Sequence, residues 1–151
     1  MDIESRLDVI AALQNVMCRL QSLNILHKTA HWTTAGDTSY SDHLLFQRLY
    51  ESIDDEIDQL AERMVSTCGA SSVDPVLIAI NVAEHIVIAN SESCVVTRNC
   101  DAERALVDCC VYCIDLIEMY MRSSATGWND FLGGVISEHE RHIYLLEQRM
   151  Q

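Results

Sequence analysis

Residues 31–63 read HWTTAGDTSYSDHLLFQRLYESIDDEIDQLAER, and this stretch decides the fold. Gly36 and Asp37 give a short turn signal between two long segments that contain neither glycine nor proline. Such segments favour uninterrupted helices, because glycine and proline are the two residues that most destabilise a helix interior. The stretch is therefore predicted to join a first helix over residues 3–32 to a second helix over residues 40–67.

Apolar residues recur every three or four positions on both sides of this turn, as they do along the buried seam of a helix bundle. In the first helix the seam is Val9, Leu13, Val16, Leu20, Leu23 and His27. In the second helix it is Phe46, Leu49, Ile53, Ile57, Leu60 and Met64. Two such helices joined by a short turn are predicted to pack against each other.

Further helices follow the hairpin. Cys68-Gly69 ends the second helix, and Asp74-Pro75 is a cap and first turn for a short helix to about residue 89. Two more long helices are predicted over 101–123, with Asp101 as cap, and over 127–150, after a turn at 123–128. Four long helices with a long connection between the second and third predict an all-α, ferritin-like four-helix bundle. Without repeats or a composition break, residues 1–151 are predicted to form one domain.

Composition excludes several classes of protein. The chain has 10 basic and 23 acidic side chains, a formal net charge of −13, so it offers few cations to phosphates and we expect no DNA binding. No apolar run approaches the roughly 20 residues that a membrane span needs. The acidic start lacks the basic region of a signal peptide, so we expect a cytoplasmic protein whose seven cysteines are reduced.

An acidic stripe runs along the second helix, within about 100° on a helical wheel and about 150° from the apolar seam. It consists of His43, Gln47, Glu51, Asp54, Asp58 and Glu62. A solvated surface is one explanation, but stacked like charges repel by roughly 0.2–0.5 kcal/mol per pair, and the sequence places only Arg48 nearby. Because the stripe begins with a histidine, a metal site is the other explanation.

Distance decides how such a site can form. His43 and Asp58 are separated by about 22 Å along a helix that rises 1.5 Å per residue, so one chain cannot bring them to one ion. Two copies of the helix packed antiparallel around a two-fold axis near residue 52 would form two identical sites, each from both subunits. His31, at the end of the first helix, could reach the same site. Imidazoles and carboxylates with open positions suit iron better than zinc.

The pattern His31-Trp32, His43, Asp58 and Glu62-Arg63, within this helical plan, resembles the Dps mini-ferritins. The resemblance implies a hollow homododecamer that oxidises Fe(II) with H2O2 or O2 and stores the ferric mineral inside. It also implies a catalytic ferroxidase site at the dimer interface. His31 and His43 would come from one subunit, and Asp58 and Glu62 from its mate.

One departure from the family pattern concerns the ligands. The family usually has a carboxylate four residues after the second histidine, where this chain has Gln47. Glu51 or Asp54 would then supply the missing oxygen, and we include Asp54 among the predicted iron ligands. The alternative is a structural Dps-like shell or interaction protein whose iron site is weakened or inactive. The lysine-rich tail of DNA-binding members is also missing from the sequence.

Three further histidines, His27, His139 and His142, are interpreted as hydrogen-bonded core or interface groups rather than ligands. Glu138 lies four residues before His142, whereas a di-iron bundle uses Glu-x-x-His. Glu118, beside the third long helix's seam, is the only other acid that the sequence singles out.

Overall fold

The computed structural model describes residues 3–123 and 125–151. Its helices are α1 (Ile3–Thr33), α2 (Ser39–Cys68), α3 (Pro75–Ala89), α4 (Val95–Tyr120) and α5 (Ala125–Met150), with a 3-10 turn at Ala70–Val73. No strand occurs in the described ranges, so the all-α prediction is confirmed. Residues 1, 2 and 124, which belong to the predicted acidic start and the predicted turn, lie outside the described residues.

Two helical hairpins build the bundle. α1 pairs with α2, α4 pairs with α5, and the hairpins meet chiefly where α1 packs on α4. Residues 69–94, which include α3, form the long crossover, and α3 packs against α1. This is the connectivity that the sequence predicts, with one long connection between the second and third long helices.

The core consists of two apolar clusters separated by a polar layer. The larger cluster contains Leu13, Leu60 and Leu106, and the smaller contains Phe46 and Leu146. Between them lie polar side chains from α1, α4 and α5 that are almost completely buried: His27, Asn99, Glu103, His139 and His142. The apolar seams of the sequence thus form the core, and a layer of hydrogen-bonding groups interrupts it.

Local signals set the ends of α2 and α3 as predicted. The Asp74 carboxylate accepts hydrogen bonds from the backbone N–H groups of Val76 (2.8 Å) and Leu77 (3.0 Å), and Pro75 occupies the first turn of α3. Gly69 follows α2 with φ +95°, a conformation that a residue with a Cβ rarely adopts. Both helix boundaries are confirmed to within a residue.

The predicted bounds of the last two helices are wrong at three ends. α4 begins at Val95 rather than at 101, because Val95 and Val96 pack against the smaller apolar cluster and Asn99 is a buried hydrogen-bonding partner rather than part of a linker. It also ends at Tyr120 rather than at 123. α5 begins at Ala125, and Trp128, which the sequence assigned to a turn, lies buried within it.

All seven cysteines fall in the described ranges and carry free thiols. Cys94 is exposed and the other six are buried. Cys110 and Cys113 are fully enclosed, and burial raises the pKa of both thiols, that of Cys113 to about 12. The Cys110-x-x-Cys113 pair is therefore part of the core. Among the described helices, none combines the length and the apolar character needed to cross a bilayer.

An ion pair joins the end of α5 to the start of α2. The Arg149 guanidinium donates from Nε to Asp42 Oδ1 (2.5 Å) and from Nη2 to Asp42 Oδ2 (3.1 Å). The same Nη2 donates to the Thr38 hydroxyl at 2.6 Å. The hydrogen bond from Arg149 holds the pKa of Asp42 below its ordinary value of 3.8.

Replacing Arg149 by methionine should lower the free energy of unfolding by about 1 kcal/mol near neutral pH, because a partly exposed two-point ion pair is lost. A carboxylate with a depressed pKa contributes stability above its unfolded pKa and loses that contribution as the pH falls through its folded pKa. The deficit of Arg149→Met should therefore be constant at neutral pH and shrink below about pH 4. Denaturant unfolding followed by circular dichroism measures it.

Arg141→Met is the matched control, since Arg141 pairs with Glu138 within α5 and joins no second helix. A deficit for Arg149→Met that equals the control's, or that persists unchanged at low pH, would contradict the assignment.

Candidate functional site

The predicted histidine pair is formed at the α1–α2 turn. His31 lies in the last turn of α1 and His43 in the second turn of α2. Their rings stack with centroids 3.6 Å apart and planes inclined by 25°. Two of the predicted site residues are therefore brought together within one chain.

Reciprocal hydrogen bonds fix the orientation of both rings. His31 Nδ1 donates to the backbone carbonyl of His43 (2.8 Å), and His43 Nδ1 donates to the backbone carbonyl of His31 (3.0 Å). Because a carbonyl oxygen can only accept, both protons of the neutral rings are on Nδ1 and both Nε2 atoms carry a lone pair. This is the tautomer that a histidine uses to bind a metal through Nε2.

The predicted carboxylate ligands lie elsewhere on the chain. Asp58 and Glu62 are exposed on α2, and Asp58 is about 22 Å from His43 along that helix. A single chain therefore does not assemble His31, His43, Asp58 and Glu62 into one site. The expectation that a second copy must supply the acids stays a prediction.

The middle of the stripe is tied to its own chain. Gln47 Nε2 donates to Glu51 Oε1 at 2.7 Å. Asp54 accepts a hydrogen bond from Asn24 Nδ2 (2.8 Å), and its Oδ1 lies 3.7 Å from Lys28 Nζ. The prediction that Arg48 is the one cation near the stripe is wrong, because Lys28 of α1 also lies beside Asp54.

A second group of candidate ligands occupies the polar layer of the core, centred on Glu103 of α4. Glu103 Oε1 accepts from His27 Nε2 of α1 at 2.7 Å and from His142 Nδ1 of α5 at 3.1 Å. Its other oxygen, Oε2, accepts from His139 Nδ1. The carboxylate is 0% exposed, so these three imidazoles replace the water that it loses on burial.

The outer nitrogens of the three rings also have partners. His139 Nε2 lies 2.9 Å from Glu56 Oε2 of α2. His142 Nε2 lies 3.2 Å from Ser52 Oγ and 3.3 Å from Glu138 Oε1. For the third ring, Asn99 Nδ2 donates to His27 Nδ1 at 3.1 Å. The cluster thus links all four long helices.

Burial and pairing shift the pKa values of this cluster in opposite directions. Burial alone would lower the pKa of His139, but the carboxylates of Glu103 and Glu56 raise it to about 10. Burial alone would raise the pKa of Glu103, but the surrounding imidazoles hold it well below its usual range. Burial lowers the pKa of His27, whose two nitrogens are both satisfied in the neutral ring. His139 is therefore an imidazolium between two carboxylates.

The interpretation of His27, His139 and His142 as hydrogen-bonded core groups is confirmed, but the prediction from sequence misses two acids that pair with them. Glu56 of α2, which is not part of the acidic stripe, reaches His139. Glu118 is exposed and accepts from Asn129 Nδ2, while Glu103 is the buried acid of α4. Sequence could have found Glu103, because it lies three residues before Leu106 and continues that helix's seam.

Part of the chain is similar in sequence to a known protein. No protein-family model matches the chain. A 63-residue segment, 42% of the chain, is 44% identical to DNA protection during starvation protein 2 of Deinococcus radiodurans. That match spans 26% of the relative's length.

Solved structures match the whole chain. Dps from Vibrio cholerae O1 matches 100% of this chain and 94% of its own with a TM-score of 0.80 and 16% identity. DpsC from Streptomyces coelicolor matches 100% of this chain and 88% of its own with a TM-score of 0.79 and 21% identity. The Vibrio protein is described as a member of a broad superfamily of ferritin-like diiron-carboxylate proteins.

The four-helix plan and these matches define a ferritin-like four-helix fold, as the sequence predicts. The whole-chain matches show that the chain has the fold of the Dps structures, and the local 44% identity links one 63-residue segment to a DNA protection during starvation protein.

Replacing Glu103 by alanine should lower the free energy of unfolding by about 3–5 kcal/mol, because a buried imidazolium and two further imidazoles lose their shared partner. Denaturant titration of the assembled protein measures the loss. Glu118→Ala is the matched control on the same helix, and we expect it to lose about 1 kcal/mol or less. Similar losses for the two variants would mean that the carboxylate of Glu103 does not hold the polar layer together.

Proposed function

We propose that this chain assembles into a homo-oligomeric shell, a dodecamer built from two-fold dimers, that takes up Fe(II), oxidises it and stores the ferric product. The oxidation site would lie between subunits, with His31 and His43 from one chain and Asp58 and Glu62 from its mate. Iron is the substrate of this site. The proposal rests on the Dps-like fold and on the state of the histidine pair.

The histidine pair is the observation that carries the proposal. Each ring donates its Nδ1 proton to the backbone carbonyl of the other histidine. The Nε2 lone pairs of both rings therefore remain available to bind an ion. This is the tautomer in which a histidine binds a metal ion through Nε2. Stacked rings held by backbone also lose little freedom on binding an ion, which favours affinity.

Exposed apolar side chains next to the pair support a covering subunit. Trp32 is 72% exposed, Tyr40 is 77% exposed, and Leu44, one residue after His43, is 47% exposed. Large aromatic side chains near each other on a surface are typical of a contact with another protein. If an antiparallel copy of α2 covers this surface, its acidic stripe comes to the histidines, and the symmetry makes two equal sites.

The chemistry required of these residues is modest. Imidazole nitrogen and carboxylate oxygen hold Fe(II) and stabilise the higher charge of Fe(III). Two Fe(II) ions each give one electron to H2O2, which takes up two protons and leaves as two water molecules. With O2, four Fe(II) ions and four protons are consumed for each molecule reduced to two waters. Either oxidant balances, and the stripe's negative charge attracts the next cation.

The net charge and the free cysteines support two further parts of the proposal, on DNA binding and on location. A net charge of −13 argues against binding of duplex DNA, whose affinity depends on neutralised phosphates. A cytoplasmic location fits the reduced cysteines. The second candidate, a structural shell with an inactive iron site, is favoured by one observation: Gln47 offers a neutral amide, and that amide is already bonded to Glu51.

Mixing two inactive variants tests whether each site takes residues from two chains. His43→Ala and Asp58→Ala should each lose most Fe(II) oxidation, because every site in either homodimer lacks a ligand. After unfolding and joint reassembly, half of the dimers are mixed and each has one intact site. About a quarter of wild-type activity should return if the sites act independently. The ferric absorbance measures the rate.

Each outcome of this mixing experiment selects one explanation. A site contained within one chain gives no recovery, because every chain carries its own lesion. An inactive shell gives no oxidation in any sample, wild type included. Separate reassembly of each variant is the control for the unfolding step.

Gln47→Asp should speed Fe(II) oxidation several-fold, since it places an anionic oxygen four residues after His43 and breaks the amide's bond to Glu51. The matched control is Gln59→Asp, which adds the same charge to an exposed position of α2 outside the stripe. An equal gain in the two variants would assign the effect to net charge. A rate no higher than wild type would mean that residue 47 does not reach the ion.

A further inference from the structure

The buried cluster contains a set of donor atoms suited to a single metal ion. One oxygen of Glu103 and one nitrogen from each of His139 and His142 lie within 4.8 Å of one another. Donors bound to one ion at about 2.0–2.2 Å lie about 3–4 Å apart, so small side-chain rotations would bring all three to coordination distance. Two imidazoles and one carboxylate with open positions are typical of iron(II) and zinc sites, not of calcium or magnesium sites.

The surroundings of the two histidines favour the same interpretation. Both rings direct Nδ1 toward Glu103, and both have a carboxylate at the opposite nitrogen: Glu56 for His139 at 2.9 Å and Glu138 for His142 at 3.3 Å. A carboxylate behind a metal-binding histidine holds the proton on the far nitrogen and orients the ring. A hydrogen-bonded core does not need two rings that are both arranged in this way.

The helices supply too few carboxylates for two ions. A di-iron bundle uses one glutamate on each of two helices and Glu-x-x-His on each of the other two. Here α5 has His139-x-x-His142, and α1 contributes His27. The central carboxylate is Glu103 alone, so the cluster suits one ion.

A surface cavity lies next to the cluster. Glu56, the partner of His139, also lines an open cavity of about 290 Å³ between α2 and α5, together with Gln59 and Asp130. The carboxylates of Glu56 and Asp130 and the guanidinium of Arg63 line this cavity, so two anionic groups face one cationic group there.

We propose that Glu103, His139 and His142 bind one divalent first-row transition metal ion within a single subunit, separate from the inter-subunit iron site. In the bound state Nδ1 of each ring coordinates the ion, and Nε2 carries a proton that His139 donates to Glu56 and His142 donates to Glu138. The protons that the ion displaces pass to solvent. His27 remains on Glu103 and holds that carboxylate in place.

Cobalt(II) binding tests the site, with visible absorption of the low-coordinate ion as the readout. The protein is the assembled His43→Ala/Asp58→Ala variant, in which each proposed inter-subunit site has lost two of its four ligands, so that Co(II) binding there is weakened and the effect of further substitutions reports on the buried cluster. We expect one Co(II) per chain, displaced by Zn(II) and unaffected by excess Mg(II). Glu103→Gln in this background should abolish the absorption, and Glu118→Gln on the same helix should leave it unchanged.

Glu56→Gln should weaken binding by about 10–100-fold without abolishing it, as expected for a residue that orients a ligand. Circular dichroism shows whether Glu103→Gln folds. If it does not fold, the Glu56→Gln variant still tests the proposal. Absence of Co(II) absorption in the His43→Ala/Asp58→Ala protein overturns the proposal and leaves a hydrogen-bonded cluster only. Equal Co(II) affinity in the Glu56→Gln and Glu118→Gln variants also overturns it.

Discussion

The burial of one carboxylate, that of Glu103, is the constraint on which the arrangement of the bundle depends. A buried anion without partners costs several kcal/mol, and here the partners come from α1 and α5, with α2 joined through His139 and Glu56. The apolar seams alone would tolerate a shift of one helix along another, because leucine packs against leucine in several registers. The polar layer tolerates none, since a shift by one turn would leave the carboxylate unpaired.

The two groups of histidines share helices but differ in what completes them. His27 and His31 are one turn apart on α1, the first directed into the core and the second to the surface. The inner group finds every partner within its own chain. The outer group has unshared nitrogen lone pairs and exposed aromatic side chains beside it, and the proposed function completes it with a second copy of the chain.

Sequence periodicity predicts the helices, their seams and the meeting of His31 with His43, because all of these depend on local spacing and one short turn. It fails where a polar residue is part of the core. Asn99 was assigned to a linker and Glu103 was overlooked, since their burial makes sense only beside His27 and His139, which are distant in sequence. The acids at 58 and 62 pose a different problem: the proposed function pairs them with histidines of a second copy, and neither the sequence nor the fold of one chain contains that contact.

The positions of the seven cysteines determine which thiol can react. A thiol reacts with oxidants and alkylating reagents as the thiolate. Six of the seven cysteines are enclosed by the bundle, and burial raises the pKa of Cys110 and Cys113 far above neutrality. Cys94, at the start of α4, is exposed, and the hydroxyl of Thr97 lowers the pKa of its thiol. The folded chain therefore presents a single reactive thiol, which gives each subunit one natural attachment point for a spectroscopic label.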